Sequence, residues 1–362
     1  MPRSNTRHAA VMHAVGIDIA DGSLELINLS QDHAGGVSLA EHARILLPSD
    51  VIVHGTIQNR SSLDRSLDAL LSSASLPQGI THVVSALPDP QVVVKSIPIP
   101  AQTAGSGFDM DHLARVAFKT LAVPVRSPVV RWNVIRFDEK QSFLQLFITS
   151  RAYVQQWITF FRRHKLQLVA LEMQSLALAR ALVHRIPPQV VVGLVDLGMR
   201  YTALSLLTHR GVIYSHTYDS DSITLRELLE ERFDMPEDVI RRSLRTISLN
   251  DSDPLAETVR DHFISLFADI KKTVQELHVK PQRYIVTGAD ARIKGIRSYA
   301  QDALAVPVER GVVWPFHVGA ARARARKPEL TPFDQQLYAG ALGLALRGLS
   351  RAHLSHGINF LP

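Results

Sequence analysis

The chain has 362 residues, of which 46% are hydrophobic and 20% are charged, and its formal net charge is +6. A chain of this length forms more than one subdomain with a sizeable core, and its mild positive charge gives no reason to expect a nucleic-acid partner. Because the chain contains no cysteine, disulfides, thiolate zinc sites and cysteine nucleophiles are excluded.

Two stretches far apart in the chain share one pattern: an apolar run that ends in an acid, a tight turn and a second apolar run. They are residues 16–27 and 192–207, and the acids are Asp18 and Asp196. Apolar runs bounded by turn residues indicate buried strands. If two such hairpins face each other across a cleft, their turn amides can bind phosphate and the carboxylates can hold Mg²⁺ through water.

Hydrophobic periodicity predicts the other elements in chain order. Strands are expected at residues 37–47, 82–87, 91–97, 129–137, 143–149, 166–171, 212–218 and 283–287. Helices are expected at residues 61–75, 111–121, 153–164, 174–184, 223–233, 236–247, 255–277 and 293–304, with a last helix from 331 to 347 capped by Thr331. The breaker-rich residues 98–107 predict a boundary before a small α+β block that ends at residue 171.

Several other kinds of site are not supported by the sequence. The 16 histidines show no metal-ligand spacing, and Gly105-Ser106-Gly107 is a turn rather than a nucleophile elbow. The basic residues 321–327 are interpreted as a solvated loop, with contact to acidic lipid as the alternative. No apolar run reaches the roughly 18 residues of a membrane span, and residues 1–12 are expected to be a loose leader rather than a signal peptide.

Five segments in this order resemble the family of type IV pilus assembly protein PilM: residues 16–23, 87–100, 195–202, 285–296 and 338–349. The resemblance covers residues 15–362. That family belongs to the actin-like ATPases and is similar to the cell-division protein FtsA. The resemblance implies an α/β, two-lobed actin-like fold with a small α+β subdomain inserted in the first lobe. The implied division is a first lobe (1–97), the inserted subdomain (98–171), a second lobe (172–330), and a helix returning to the first lobe plus a tail (331–362).

The resemblance also implies a site for ATP and Mg²⁺ between the lobes, with Asp18 and Asp196 facing the metal. The residues implied in nucleotide binding lie in two phosphate loops, one adenosine loop and one helix. They are Asp18, Ala20, Asp21, Gly22 and Ser23; Asp196, Gly198, Arg200 and Thr202; Gly288 and Ala289; and Asp238 and Arg241.

The loops depart from the family pattern in ways that weaken phosphate binding. Glycines of the family become Ala20, Arg200 and Ala289, a serine becomes Asp21, and a lysine becomes Glu25. A carboxylate about 5 Å from a phosphate charge costs roughly 3 kcal/mol at an effective dielectric near 20, unless a cation such as Arg200 offsets it. Two interpretations stay open: a weak ATP site, or a degenerate pocket in a fold retained for its surface. We expect at most a weak ATPase and assign no catalytic residue.

The function implied is that of a cytoplasmic scaffold of the pilus assembly platform, at the inner face of the cytoplasmic membrane. It would bind the short cytoplasmic N-terminal peptide of a PilN-like membrane protein, and so be peripheral to the membrane through its partner. The alternatives are an active ATPase of the FtsA type, or a phosphotransferase on the same fold.

The last five residues carry a further hypothesis. Ile358, Asn359, Phe360, Leu361 and Pro362 resemble the Ile-Asn-Leu-Leu-Pro signature of PilN-type proteins. An extended apolar peptide can place alternate side chains in pockets while its backbone pairs. The tail could therefore occupy the partner's groove, between the first lobe and the inserted subdomain, in its own chain or in a neighbouring chain through head-to-tail self-association. The alternative is a disordered end.

Overall fold

Strands and helices lie within a few residues of the positions that the apolar pattern predicts. The computed structural model describes residues 12–100, 109–136, 141–183, 185–218, 224–313, 332–350 and 357–362. The predicted cap Thr331 and the basic residues 321–327 lie outside the described residues. The strands are β1 (Met12–Ala20), β2 (Ser23–Gln31), β3 (Val37–Leu46), β4 (Ile52–Val53), β5 (Thr56–Ile57), β6 (His82–Leu87), β7 (Val93–Pro100), β8 (Pro128–Arg136), β9 (Gln141–Ser150), β10 (Gln167–Met173), β11 (Val192–Leu197), β12 (Thr202–Thr208), β13 (Gly211–Tyr218), β14 (Arg283–Thr287) and β15 (Val308–Arg310).

Several helices begin where short polar side chains cap them. Asn59 accepts a hydrogen bond from Ser62 N at the start of the first helix, and Thr224 and Glu227 form a capping box. The helices are α1 (Arg60–Ser73), α2 (Met110–Thr120), α3 (Arg151–Arg163), α4 (Gln174–Leu182), α5 (Leu225–Phe233), α6 (Glu237–Thr246), α7 (Pro254–Glu276), α8 (Ile296–Leu304), α9 (Pro332–Gln335) and α10 (Ala339–Leu349).

Each predicted hairpin forms the centre of its own sheet. In the described residues, one sheet has the order β10-β6-β1-β2-β3 and the other has the order β13-β12-β11-β14-β15. The hairpin strands are antiparallel, and their inner partners β6 and β14 run parallel to β1 and β11. This common arrangement builds two similar lobes, and it places the end of β1 and the end of β11 at equivalent positions.

Two helices, α4 and α10, lie between the lobes and pack against apolar residues of both sheets. Small residues let α10 come close to its neighbours: a Cβ at Gly16 of β1 would overlap the Ala341 carbonyl, and one at Gly343 would overlap the Ala177 carbonyl. The glycine and alanine content of this last helix is therefore explained by backbone-to-backbone contact.

The inserted subdomain is a sheet of order β7-β9-β8, with α2 packed on it over a small separate core. Its strand pairing differs from the predicted boundaries at residues 98 and 171. Strand β7 begins at Val93 and pairs with β9, whereas β10 pairs in parallel with β6 of the first lobe. Helix α3 also buries Trp157, Phe160 and Phe161 in the first-lobe core. Tertiary contacts decide whether each of these elements belongs to the first lobe or to the inserted subdomain. The order of the elements along the chain does not reveal those contacts. In the second lobe, which is predicted to begin at residue 172 with a helix, the first strand begins at Val192.

Candidate functional site

The turns of the two hairpins line one cavity between the lobes. Asp18 and Asp196 both face it, together with most of the predicted phosphate-loop and adenosine-loop residues. Those residues are Ala20, Asp21, Gly22, Ser23, Gly198, Arg200, Gly288 and Ala289. Loops that are far apart in the chain therefore line one cavity.

Asp18 and Asp196 lie in a buried group of acids. Burial, together with the neighbouring charges of Glu25, Asp196 and Asp89, raises the pKa of Asp18 to about 8. Burial and the charges of Asp89 and Asp290 likewise raise the pKa of Asp196 to about 7. Crowded carboxylates of this kind are stabilised either by sharing protons or by a bound cation.

Glu25, expected to repel phosphate, is neutralised within the first lobe. Its Oε1 accepts a hydrogen bond from Arg44 Nε at 2.6 Å, and Arg44 Nη2 donates to Ser23 Oγ at 3.0 Å. Glu25 and Arg44 are direct neighbours across β2 and β3. The expected repulsion is therefore offset by Arg44 rather than by Arg200, and Arg44 supplies a positive charge to the cavity wall.

Asp21 and Arg200 each form hydrogen bonds to the backbone of a neighbouring loop. Asp21 accepts hydrogen bonds from His54 N at 2.8 Å and Gly55 N at 2.9 Å. Arg200 crosses from the second lobe and donates to the Ser49 carbonyl at 2.9 Å. Their carboxylate and guanidinium are 3.9 Å apart. The substitutions at these two loop positions hold the lobes together, which is a structural role that the family pattern does not suggest.

The two turns touch each other through Met199. A Cβ at Gly22 would overlap the Met199 sulfur, so the thioether of the second turn lies directly against the backbone of the first. The remaining cavity has about 90 Å³ of space for water-sized molecules, whereas pockets for small organic ligands have roughly 300–1,000 Å³. In this conformation the space suffices for an ion with a few waters and not for a whole nucleotide.

The adenosine loop is built against the second acid. Gly288 has φ +94°, and a Cβ there would also overlap Asp196 Oδ1. Beside it, the buried Thr287 hydroxyl has no hydrogen-bond partner in the described residues. Asp290, one residue beyond Ala289, forms a bidentate pair with Arg226 at 2.7 and 3.1 Å. This pair fixes the loop, and Thr287 is among the residues that line the cavity.

Three predicted residues do not line this cavity. Asp238 points away from the lobes: it pairs with Arg242 at 2.6 Å, and both side chains are about 70% exposed. Arg241 pairs with Glu237 at 2.8 Å instead of facing the cavity. Asp238 and Arg241 are three residues apart but diverge because each takes an ion-pair partner four residues away on α6. Thr202 lines a separate cavity of about 560 Å³ in the second lobe.

A second candidate site lies at the edge of the first lobe, where residues 357–362, called here the docked segment, lie against their own chain. Phe360 N donates to the Leu171 carbonyl at 2.8 Å, and Leu171 N donates to Asn359 Oδ1 at 3.0 Å. Arg131 of β8 donates to the carbonyls of Asn359 and Leu361, each at 2.5 Å. The segment therefore fills a groove between β10 and β8, called here the edge groove.

Two apolar side chains of the docked segment are buried in the groove. Ile358 and Phe360 lie in the same apolar cluster as Trp157 of α3, Leu361 is half-buried and Pro362 is exposed. Beneath them, Arg347 of α10 donates to the Ile358 carbonyl at 2.6 Å and to Glu172 at 2.5 Å. Buried apolar side chains together with backbone pairing are the pattern of a bound extended peptide.

Sequence reasoning did not identify the residues that support either site. Arg44 could have been found from the cross-strand neighbours of Glu25, since a short β2–β3 connection fixes that register. Arg131, Arg347 and Met199 carry no local signal, because their roles depend on contacts between elements far apart in the chain.

Comparisons with known proteins agree with this architecture. Residues 16–349 match the family described as type IV pilus assembly protein PilM. A solved PilM–PilN type IV pilus biogenesis complex is similar with a TM-score of 0.74 and 19% identity, covering 93% of this chain and 98% of that chain. No curated protein matches the chain. No helix in the described ranges is long and apolar enough to cross a membrane.

Two further solved structures have the same fold at lower similarity. The ethanolamine utilization protein EutJ of Carboxydothermus hydrogenoformans has a TM-score of 0.54 and 14% identity, covering 93% of this chain and 90% of that chain. MreB5 of Spiroplasma citri bound to ADP has a TM-score of 0.51 and 12% identity, covering 95% and 99%. The actin-like fold predicted from the sequence is confirmed. Because the family match spans nearly the whole chain, the protein belongs to the PilM family of type IV pilus assembly proteins.

Proposed function

We propose that this chain is a cytoplasmic scaffold that binds the N-terminal peptide of a PilN-like membrane protein in the edge groove. The observation that carries the proposal is the docked segment, an extended Ile-Asn-Phe-Leu sequence held between β10 and β8. Its pattern resembles the Ile-Asn-Leu-Leu-Pro signature of PilN-type proteins. Binding such a peptide would keep the chain at the inner face of the cytoplasmic membrane.

The groove offers three kinds of recognition to such a peptide. The edge of β10 supplies the N–H and carbonyl of Leu171. The guanidinium of Arg131 donates hydrogen bonds to two peptide carbonyls, and the apolar cluster around Trp157 of α3 buries the apolar side chains. The asparagine is the position most open to test, because its Oδ1 accepts the Leu171 N–H and the Leu361 N–H at 3.2 Å. An alanine there would leave a strand-edge donor unpaired at a buried contact.

The peptide test uses two synthetic peptides that differ at one position, Ile-Asn-Leu-Leu-Pro and Ile-Ala-Leu-Leu-Pro, each titrated into the full chain by fluorescence anisotropy. We expect the alanine peptide to bind roughly 10- to 100-fold more weakly, since a lost hydrogen bond at a buried donor costs about 1–3 kcal/mol. Equal affinities of the two peptides would contradict the proposed function.

We also propose that the interlobe cavity binds Mg²⁺ with ATP weakly, as a secondary function. The donor set suits the metal: Asp18 and Asp196 face one cavity, and burial together with neighbouring carboxylates raises the pKa of both. Mg²⁺ typically takes one or two carboxylates and completes its shell with water and phosphate oxygens. This fits the finding that no cluster of three or more ligating side chains occurs in the described residues. When bound, the ion would screen the acids and orient a phosphate.

The fit to a whole nucleotide is poorer, because Met199 lies against Gly22 and narrows the space between the turns. None of the described residues that line the cavity is assigned as a general base, so we propose at most weak hydrolysis. A nucleotide would require the lobes to move apart around α4 and α10.

Shortening Met199 should therefore improve nucleotide binding. We expect Met199→Ala to tighten Mg-ATP binding several-fold in isothermal titration, because the contact between the Met199 side chain and Gly22 that narrows the space between the turns is removed. Met12→Ala, at a methionine 38% exposed on β1, is the matched control and should leave the affinity unchanged. If Met199→Ala binds Mg-ATP no better than the control, the turn contact does not limit the site.

A further inference from the structure

The edge groove is already filled by the chain's own residues, although the proposed function assigns it to a partner. We propose that the docked segment is a resident ligand, and that a partner peptide binds only by displacing it. The inference rests on the proposed function and adds its regulation: the scaffold is closed to its partner until the segment leaves.

The contacts of the segment are of a kind that another peptide can replace. Arg131 and Arg347 donate to backbone carbonyls rather than to distinctive side chains. Leu171 pairs with a backbone N–H and an asparagine oxygen. Any extended peptide with an apolar residue, an asparagine and a second large apolar residue presents the same groups in the same order.

An empty edge groove would cost free energy. Replacement of the docked segment by a partner peptide is therefore favoured over departure of the segment alone. Arg347 is only 1% exposed, and its Nε and Nη2 already lack partners in the described residues. Losing the Ile358 carbonyl would leave it with Glu172 alone. The edge of β10 and the aromatic cluster under Phe360 would also be exposed. These costs disappear when a like peptide enters as the segment leaves.

The segment also has the advantage of being tethered. It follows α10, which ends at Leu349, so few residues separate it from its anchor. Short tethers give effective concentrations in the millimolar range. The apparent affinity for a partner peptide is therefore the intrinsic affinity multiplied by the fraction of chains whose groove is free. If one chain in a hundred is free, the apparent affinity is lowered about 100-fold.

The displacement test changes the segment and leaves the groove intact. Anisotropy titration of the Ile-Asn-Leu-Leu-Pro peptide compares the full chain with Phe360→Ala, which removes a side chain 1% exposed, and with Ile264→Ala, which removes a side chain 51% exposed on α7. We expect Phe360→Ala to bind at least about 10-fold more tightly and Ile264→Ala to match the unmodified chain. Equal binding by all three overturns displacement and leaves the proposed function standing. No binding by any of them overturns the proposed function itself.

A second measurement does not depend on the fold of Phe360→Ala. Because the chain has no cysteine, Pro362→Cys provides a single attachment point for a nitroxide spin label on an otherwise intact chain. Saturating Ile-Asn-Leu-Leu-Pro peptide should make the label more mobile than it is without peptide, whereas the Ile-Ala-Leu-Leu-Pro peptide at equal concentration should change the spectrum less. A label spectrum that does not change while the peptide binds would overturn the inference.

Discussion

Replacing Glu172 by alanine should lower the free energy of unfolding by about 3–5 kcal/mol. Glu172 and Arg347 are each only 1% exposed and pair at 2.5 Å, and Glu172 also pairs with Arg180 at 2.6 Å. Removing the acid leaves one fully buried guanidinium and one nearly buried guanidinium without a counter-charge. The loss should also loosen the docked segment, since Arg347 is held between Glu172 and the Ile358 carbonyl.

The pH dependence of this effect has a definite sign. Burial alone would raise the pKa of Glu172, but Arg180 and then Arg347 together hold that pKa below its ordinary value. A depressed folded-state pKa adds stability above the unfolded pKa, and this stability is lost as the pH falls through the folded pKa. The difference between the unmodified chain and Glu172→Ala should therefore be full at pH 7 and shrink in acid.

Glu309→Ala is the matched control for the denaturant titrations, because Glu309 pairs with Arg283 at 2.6 Å but is 51% exposed. An exposed pair contributes about 0–1 kcal/mol. A Glu172→Ala loss no larger than that of Glu309→Ala would show that the buried network does not stabilise the fold.

Asp18→Asn should stabilise the metal-free protein at pH 8 by roughly 3–5 kcal/mol. The folded-state pKa of Asp18 is raised from 3.8 to about 8, chiefly by burial and then by the charges of Glu25 and Asp196. Between these two values the folded state holds a proton that the unfolded state releases, so the unmodified chain loses stability as the pH rises from about 4 to about 8. Asparagine removes this penalty, and the gain should be near zero at pH 4.

The measurement is the melting temperature from pH 4 to pH 8 in the presence of a chelator. Asp238→Asn, at an exposed acid on α6, is the control and should show no such pH-dependent gain. With Mg-ATP added, the difference in melting temperature between Asp18→Asn and the unmodified chain at pH 8 should become smaller. The bound ion would stabilise the chain with Asp18 and not the asparagine variant. If Asp18→Asn gives no gain in melting temperature at pH 8, or an equal gain at pH 4 and pH 8, the folded-state pKa of Asp18 is not raised.

The sequence predicted the parts of the site that depend on local patterns. An acid at the end of an apolar run, followed by a tight turn, is enough to locate Asp18 and Asp196. Since both hairpins sit at the centre of similar sheets, their turns meet across one cavity. The fold class followed from the same repeated pattern together with the family resemblance.

Features that depend on tertiary partners were not predictable in this way. Strand β10 joins the first lobe because β6 offers it an edge, although in chain order it follows the inserted subdomain. The repulsion of phosphate expected from Glu25 is offset because Arg44 pairs with it from the next strand. Asp238 misses the cavity because Arg242, one turn along α6, attracts it outward. In each case a pairwise contact outweighs the position implied by the family pattern.

Arg131 provides the most direct test that the edge groove is the peptide receptor. In the Phe360→Ala background, where the segment competes least, the affinity of the Ile-Asn-Leu-Leu-Pro peptide would be measured with Arg131→Ala and, separately, with Arg126→Ala at an exposed arginine of the same subdomain. The account predicts a loss of roughly 10- to 100-fold for Arg131→Ala, because hydrogen bonds from a charged donor contribute about 1.5–3 kcal/mol, and no change for Arg126→Ala. Equal affinities of the two variants would contradict it.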